Sequence, residues 1–239
     1  MARPIELCLA LAVVGGCVGV RPDAPPPDGN AAGPGIGGGE DTGSRPSRAL
    51  VAFEAGDLRV TSGAVESEAP GRFSNRSPTL RAWLGNTPRS AAELDFVYRG
   101  PTAESAPLAS GELRRQIGLE LRARDTCNVV YVMWHIEPSP GIVVSVKSNP
   151  SQSRHAECRD RGYSFLQPIT SEVAPLVAPG QPHVLAAAIR GRRLHVSTDG
   201  RESWVGELPV AAFEFDGPVG VRSDNADFSA ALRAEELVP

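Results

Sequence analysis

Alternation of apolar and polar residues, recurring from residue 48 onward, constrains the fold of this chain more than any other feature. In Ile117-Gly118-Leu119-Glu120-Leu121-Arg122-Ala123-Arg124 apolar residues fall at every second position. A strand turns successive side chains to opposite faces, so this pattern places one face in a core and one in water. A helix would scatter the same residues around its axis. The next run, Asn128-Val129-Val130-Tyr131-Val132-Met133-Trp134-His135-Ile136, is apolar on both faces and rich in β-branched and aromatic residues, which predicts a central strand. Gly141 to Lys147 reads as its antiparallel neighbour across the turn Pro138-Ser139-Pro140-Gly141.

The C-terminal part repeats the theme. Val184 to Ile189 runs into Gly191-Arg192, Leu194 to Thr198 runs into Asp199-Gly200, and Glu202 to Gly206 follows. Asp-Gly between alternating strands is a strong hairpin signal, because both central residues of that turn need positive φ. Val219 to Ser223 and Phe228 to Ala234, with a turn at Asp224-Asn225, read as a last pair. No segment after residue 48 carries a convincing amphipathic helix. Many short strands at this spacing predict an all-β sandwich or barrel.

The N-terminal end has a different character. Leu7-Cys8-Leu9-Ala10-Leu11-Ala12-Val13-Val14-Gly15-Gly16-Cys17 is a short apolar run ending in small residues and a cysteine. It resembles the signal sequence of a bacterial lipoprotein, which makes Val14-Gly15-Gly16-Cys17 the lipobox and Cys17 the lipid carrier. The run from Leu7 to Val20 is shorter than the roughly 20 residues a spanning helix needs. Arg3 is the only basic residue ahead of it and Glu6 adds a negative charge, so an ordinary cleaved secretory signal is the alternative. From Arg21 to Ser47 the chain is mostly Pro, Gly, Ala and Asp, including Pro25-Pro26-Pro27 and Gly37-Gly38-Gly39, a composition that predicts a flexible tether. The expected organisation is a signal peptide over 1–16, lipidated cysteine and tether over 17–47, and one domain over 48–239. It implies a bacterial cell envelope location, lipid-anchored at the outer membrane or cell surface.

Net charge is -4, which offers no global electrostatic reason to bind nucleic acid or anionic membrane, so membrane attachment would come through the lipid anchor. Of 24 basic residues only Lys147 is lysine. Cys8 and Cys17 belong to the leader, leaving Cys127 and Cys158 for the exported domain. In an oxidising compartment this pair reads first as a disulfide. The alternative, a metal site with His135 and His155, has no matching ligand spacing.

The C-terminal strands also carry a resemblance. Ala186-Ala187-Ala188-Ile189-Arg190-Gly191, Leu194 to Gly200, Trp204, Gly217-Pro218-Val219-Gly220-Val221-Arg222 and Phe228-Ser229-Ala230-Ala231-Leu232 resemble the end of the concanavalin A-like lectin/glucanase superfamily, which includes laminin-G modules. That resemblance covers about 50 residues and implies an antiparallel jelly-roll β-sandwich.

Candidate chemistry follows from it. Some members hydrolyse β-glucans with carboxylates on one strand, in Glu-x-Asp-x-Glu or Glu-x-Asp-x-x-Glu. Glu93-Leu94-Asp95-Phe96 begins that pattern, but Val97 and Tyr98 stand where the second glutamate belongs. Retaining hydrolysis needs both groups, so Glu93 and Asp95 read as the wet face of a strand and the expectation leans away from an enzyme. Asp224, Asn225 and Asp227 offer oxygen ligands in one turn and are a candidate calcium site, although the same residues build turns unaided. Trp83, Tyr163 and Trp204, together with Arg161, are candidates for ligand binding, since an aromatic face matches the C–H face of a pyranose. The expected function is non-catalytic polysaccharide binding at the envelope. A structural or protein-binding envelope lipoprotein is the first alternative, a glycan hydrolase or lyase with an atypical site the second.

Overall fold

The computed structural model describes residues 49–235; the lipobox, Cys17 and the tether lie outside the described residues. The alternating segments form sixteen strands: β1 Leu50–Ala52, β2 Leu58–Ser62, β3 Glu66–Ala69, β4 Arg72–Asn75, β5 Thr79–Leu84, β6 Ala91–Pro101, β7 Arg115–Asp125, β8 Asn128–Glu137, β9 Gly141–Lys147, β10 Tyr163–Phe165, β11 Thr170–Ser171, β12 Pro182–Arg190, β13 Arg193–Thr198, β14 Arg201–Glu207, β15 Gly220–Asp224 and β16 Ala226–Glu235. The one α-helix among them, α1, is the single turn His155–Cys158.

They pair antiparallel into two sheets. One runs β11-β14-β13-β12-β6-β16-β4-β3 with β1 added on β16, the other β10-β9-β8-β7-β15-β5-β2. The inward residues of both sheets form the main core. On β6 these are Leu94, Phe96 and Tyr98, as the alternation predicts, and on β7 Ile117, Leu119 and Leu121. Between the sheets Phe96 meets Trp134 edge-to-face at 5.8 Å between centroids, the arrangement that ring quadrupoles favour. The Trp134 indole donates to the Pro175 carbonyl at 3.2 Å, so burial leaves its one polar atom paired.

The hairpin read from Asp199-Gly200 is present, with φ of 50° and 78° at its two central residues. The last pair differs from expectation. β15 sits between β7 and β5 in the seven-stranded sheet, whereas β16 sits between β6 and β4 in the other. Asp224-Asn225 is therefore a corner between layers rather than a hairpin, with Asn225 at φ 54°. Inward alternation looks the same whether two successive strands share a sheet or face each other across the core, so the pattern alone does not separate these cases.

Candidate functional site

The outward face of the seven-stranded sheet forms the floor of a cleft of about 580 Å³. Register fixes which side chains stand together on it. Thr79, Asp224, Gln116 and His135 form one row across β5, β15, β7 and β8. Arg81, Arg222, Gly118, Met133 and Val143 form the next, and Trp83, Gly220, Glu120, Tyr131, Ser145 and Phe165 the third. Lys147 stands beside Tyr163 at the β9–β10 end. The two glycines are required by close approach: a Cβ at Gly118 would lie 2.7 Å from the Met133 sulfur, and one at Gly220 2.6 Å from Trp83 Cδ1. Larger residues there would push both side chains off the floor.

Apolar and aromatic groups form a second hydrophobic cluster on this face, in which Trp83, Val129, Tyr131 and Met133 are buried and Tyr163 packs against them. Tyr131 and Tyr163 stack at 5.9 Å, and Tyr163 and Phe165 continue the strip at 6.4 Å. The Arg222 guanidinium lies 4.5 Å from the Tyr131 ring centroid, a cation–π geometry.

Charged groups are sunk into the same floor. Asp224 is fully buried and accepts from Arg81 Nη2 and Arg222 Nε, both at 3.0 Å, and from the Gln116 amide. Burial alone would raise its carboxyl, but the two guanidiniums outweigh burial and hold it well below the usual carboxylate range. Glu120 is 1% exposed and accepts from the Trp83 indole, with Arg81 Nε at 4.0 Å. Here burial dominates and pushes the carboxyl above its ordinary value. Burial, then the Arg114 charge, drive His135 down to about 4. Lys147 falls to about 8 through burial and the Arg222 and Arg81 charges. Gln116 Oε1 is buried with no partner among the described residues.

Two walls flank the floor, and each is fastened. The 102–114 loop between β6 and β7 is held by Asn225, which accepts from the Ala106 N–H at 2.7 Å and donates to the Ala106 and Arg114 carbonyls, both at 2.9 Å. The opposite wall, which carries α1, is bridged to the β7–β8 turn by the Cys127–Cys158 disulfide across 31 residues. Lys147 Nζ reinforces it by donating to Thr126 O at 3.2 Å and Arg159 O at 2.6 Å.

The structure thus brings together Trp83 and Tyr163 among the candidates read from sequence. Trp204 is not with them: it is 3% exposed in the main core, on β14, and the polar neighbours that marked it in sequence point elsewhere. Arg161 also falls outside the cleft lining, where Arg159 and Asp160 stand instead. Asp224, Asn225 and Asp227 do not converge on a cation. The first is filled by guanidiniums and the second is spent on main-chain groups, which leaves only Asp227, whose buried Oδ1 lies 3.8 Å from Arg99 Nη1 without a hydrogen-bond partner among the described residues. Hard cations need free oxygen ligands, so this donor set does not fit calcium, and no group of three His, Cys, Asp or Glu among the described residues is placed to hold a metal. Glu93 and Asp95 lie outward on the other sheet, paired with Arg233 at 2.7 Å and Arg72 at 3.3 Å. Glu120, Arg222 and Lys147 escaped the sequence reading. Only strand register could have found them, since they sit on three strands separated in sequence.

No family model and no curated protein matches the sequence. Solved structures do resemble it in shape. The carbohydrate binding module CBM66 from Bacillus subtilis aligns with a TM-score of 0.51 at 11% identity, over 73% of this chain and 92% of its own. A Bacillus licheniformis beta-glucanase follows at TM-score 0.48 and 8% identity, over 77% and 94%, and a laminarinase from Flavobacterium sp. UMI-01 at 0.44 and 9%, over 77% and 95%. At such identities likeness concerns the backbone: the chain is an all-β, antiparallel jelly-roll sandwich of concanavalin A-like fold.

Proposed function

We propose that this protein binds a polysaccharide in the cleft on the seven-stranded sheet, without turning it over, while Cys17 anchors it to a bacterial envelope. The observation that carries the reading is the strip of Trp83, Tyr131 and Tyr163 beside fixed polar groups in one concave site. Sugar rings pack their C–H faces on aromatics, and pre-set donors and acceptors take the hydroxyls. A fastened floor and fastened walls lower the ordering cost of binding. The shape shared with a carbohydrate binding module supports the same reading.

The test is titration of the full, disulfide-bonded chain against a panel of glycans. Selective binding is expected, weakened about tenfold by Tyr163→Ala, on the scale of a lost aromatic anchor. A blank panel from folded protein would overturn the reading and move weight to an envelope protein as partner.

One observation favours a second reading, glycan cleavage. Glu120 is held toward its neutral acid in the cleft, which is what a general acid requires. Against it, the other carboxylate of the floor, Asp224, is locked by two arginines. Release of reducing or unsaturated ends, abolished by Glu120→Gln, would establish this reading in place of the first.

A further inference from the structure

Although the chain carries a net charge of -4, five cationic side chains line the cleft against three carboxylates. Arg114 among the five is paired with Glu112, outside the lining, and Asp224 is one carboxylate shared by Arg81 and Arg222. Lys147, only 1% exposed, has main-chain oxygens as its hydrogen-bond partners and no carboxylate at salt-bridge distance among the described residues. An ammonium has three donors, and two are used on Thr126 O and Arg159 O. One N–H remains, in a group 5.1 Å from the Tyr163 ring centroid.

We propose that the ligand of this cleft is an acidic saccharide, one whose carboxylate or sulfate groups pair with Lys147 and the Arg81–Arg222 couple while its rings lie on the Tyr131–Tyr163 strip. The proposal rests on the reading that the cleft holds a glycan, and it names the class. A neutral sugar covering the floor leaves the surplus positive charge without a counter-charge in a desolvated site, which is costly. An anion satisfies them, and in a desolvated site a charge-assisted hydrogen bond is strong. The spacing suits alternation of ring and charge: Arg222 lies against Tyr131 and Lys147 against Tyr163, with the two rings 5.9 Å apart.

The experiment compares one backbone with and without charge. The full, disulfide-bonded chain is titrated with oligomers of polygalacturonate, with the same oligomers after reduction of their carboxyls to alcohols, with a sulfated galactan, and with neutral β-glucan oligomers. We expect the uronate or the sulfated galactan to bind, and whichever binds identifies the anion. Removing the charge should weaken affinity at least about tenfold, the size of one lost charge-assisted contact. Binding of the acidic form should also fall as salt rises from about 50 to about 300 mM. Lys147→Gln should lose about tenfold towards the acidic form alone; should that variant fail to fold, the charged and reduced ligands still decide on unaltered protein. Equal affinity for charged and reduced oligomers, or binding of neutral glucan alone, overturns this inference and leaves glycan binding standing. No binding to any member overturns both.

Discussion

Two polar faces of one sandwich invite comparison: the outward side of the seven-stranded sheet and the outward side of the nine-stranded sheet. Both arise from the same alternation, and both carry acids and arginines. On the nine-stranded sheet Glu93 pairs with Arg233 and Asp95 with Arg72, each side chain a quarter or more exposed. On the seven-stranded sheet Asp224 and Glu120 are buried at 0% and 1%. The difference lies in what stands beside the strands. The 102–114 loop and the disulfide-tied 148–162 loop raise walls around one face, whereas the cavity of about 530 Å³ at the β11–β14 end of the nine-stranded sheet does not take in Glu93 or Asp95. A charge in the open keeps its water, and its pairing is worth little. A charge sunk between walls depends on its partners.

Several substitutions can break or sharpen this contrast. The largest expected effect is at Asp224. Asp224→Asn leaves the buried Arg222 and the half-buried Arg81 guanidiniums with a neutral partner and should cost about 3–5 kcal/mol in chemical denaturation, as broken buried pairs do. A cost below about 1 kcal/mol would mean that the cleft charges behave like those of the open face. Replacing Cys127 and Cys158 together by serine should lower stability by about 3–4 kcal/mol, from the entropy of an open loop of this length, read as a shift in urea midpoint. The same double variant should weaken glycan binding, because the wall carrying α1 loses its covalent tie.

Third in size is a pH effect. His135 is held at about 4 when folded, against an ordinary 6.5. Between those values the unfolded chain takes a proton that the folded chain refuses, so this group lowers stability as pH falls from about 6.5 towards 4, by on the order of 3 kcal/mol at most. Glu120 acts oppositely, since its raised carboxyl makes protonation favour the folded state. The difference between the native chain and His135→Gln, followed by denaturation across that window, isolates the histidine. A flat difference would sink the claim that the cleft floor is desolvated at this point. The smallest effect belongs to the open face. Glu93→Gln should change stability by less than about 1 kcal/mol and leave glycan binding unaltered. A loss of binding there would place the ligand on the wrong sheet for the reading given above.

Much of the scaffold was legible in advance. The alternation in 117–121, the doubly apolar run 128–136 and the Asp199-Gly200 turn each state a local preference that tertiary packing respects. Glu120, however, expected in water, is 1% exposed, and past Arg122, at φ 52°, the register shifts and Ala123 packs with Trp83 and Tyr131 instead of the main core. Trp83 and Tyr163 were legible as aromatics in polar surroundings, and that same signal misled at Trp204. Sequence neighbours on a strand point to opposite faces, so a charge next to an aromatic says nothing about which face the ring occupies. Asn225 was legible as a turn former and not as the clamp on the wall loop, because Ala106 and Arg114 lie more than 100 residues away.

By itself the sequence determined the all-β class, the positions of β7 to β9 and β12 to β16, the cysteine pair and the inward residues of β6, because each is a matter of periodicity or of counting. Only the tertiary structure decided that β15 and β16 part into different sheets, and that Arg81, Arg222, Asp224, Glu120 and Lys147 share one floor. Those residues come from four strands whose order in space departs from their order in the chain, and register across β5, β15, β7, β8 and β9 is set by long-range pairing that no local window contains.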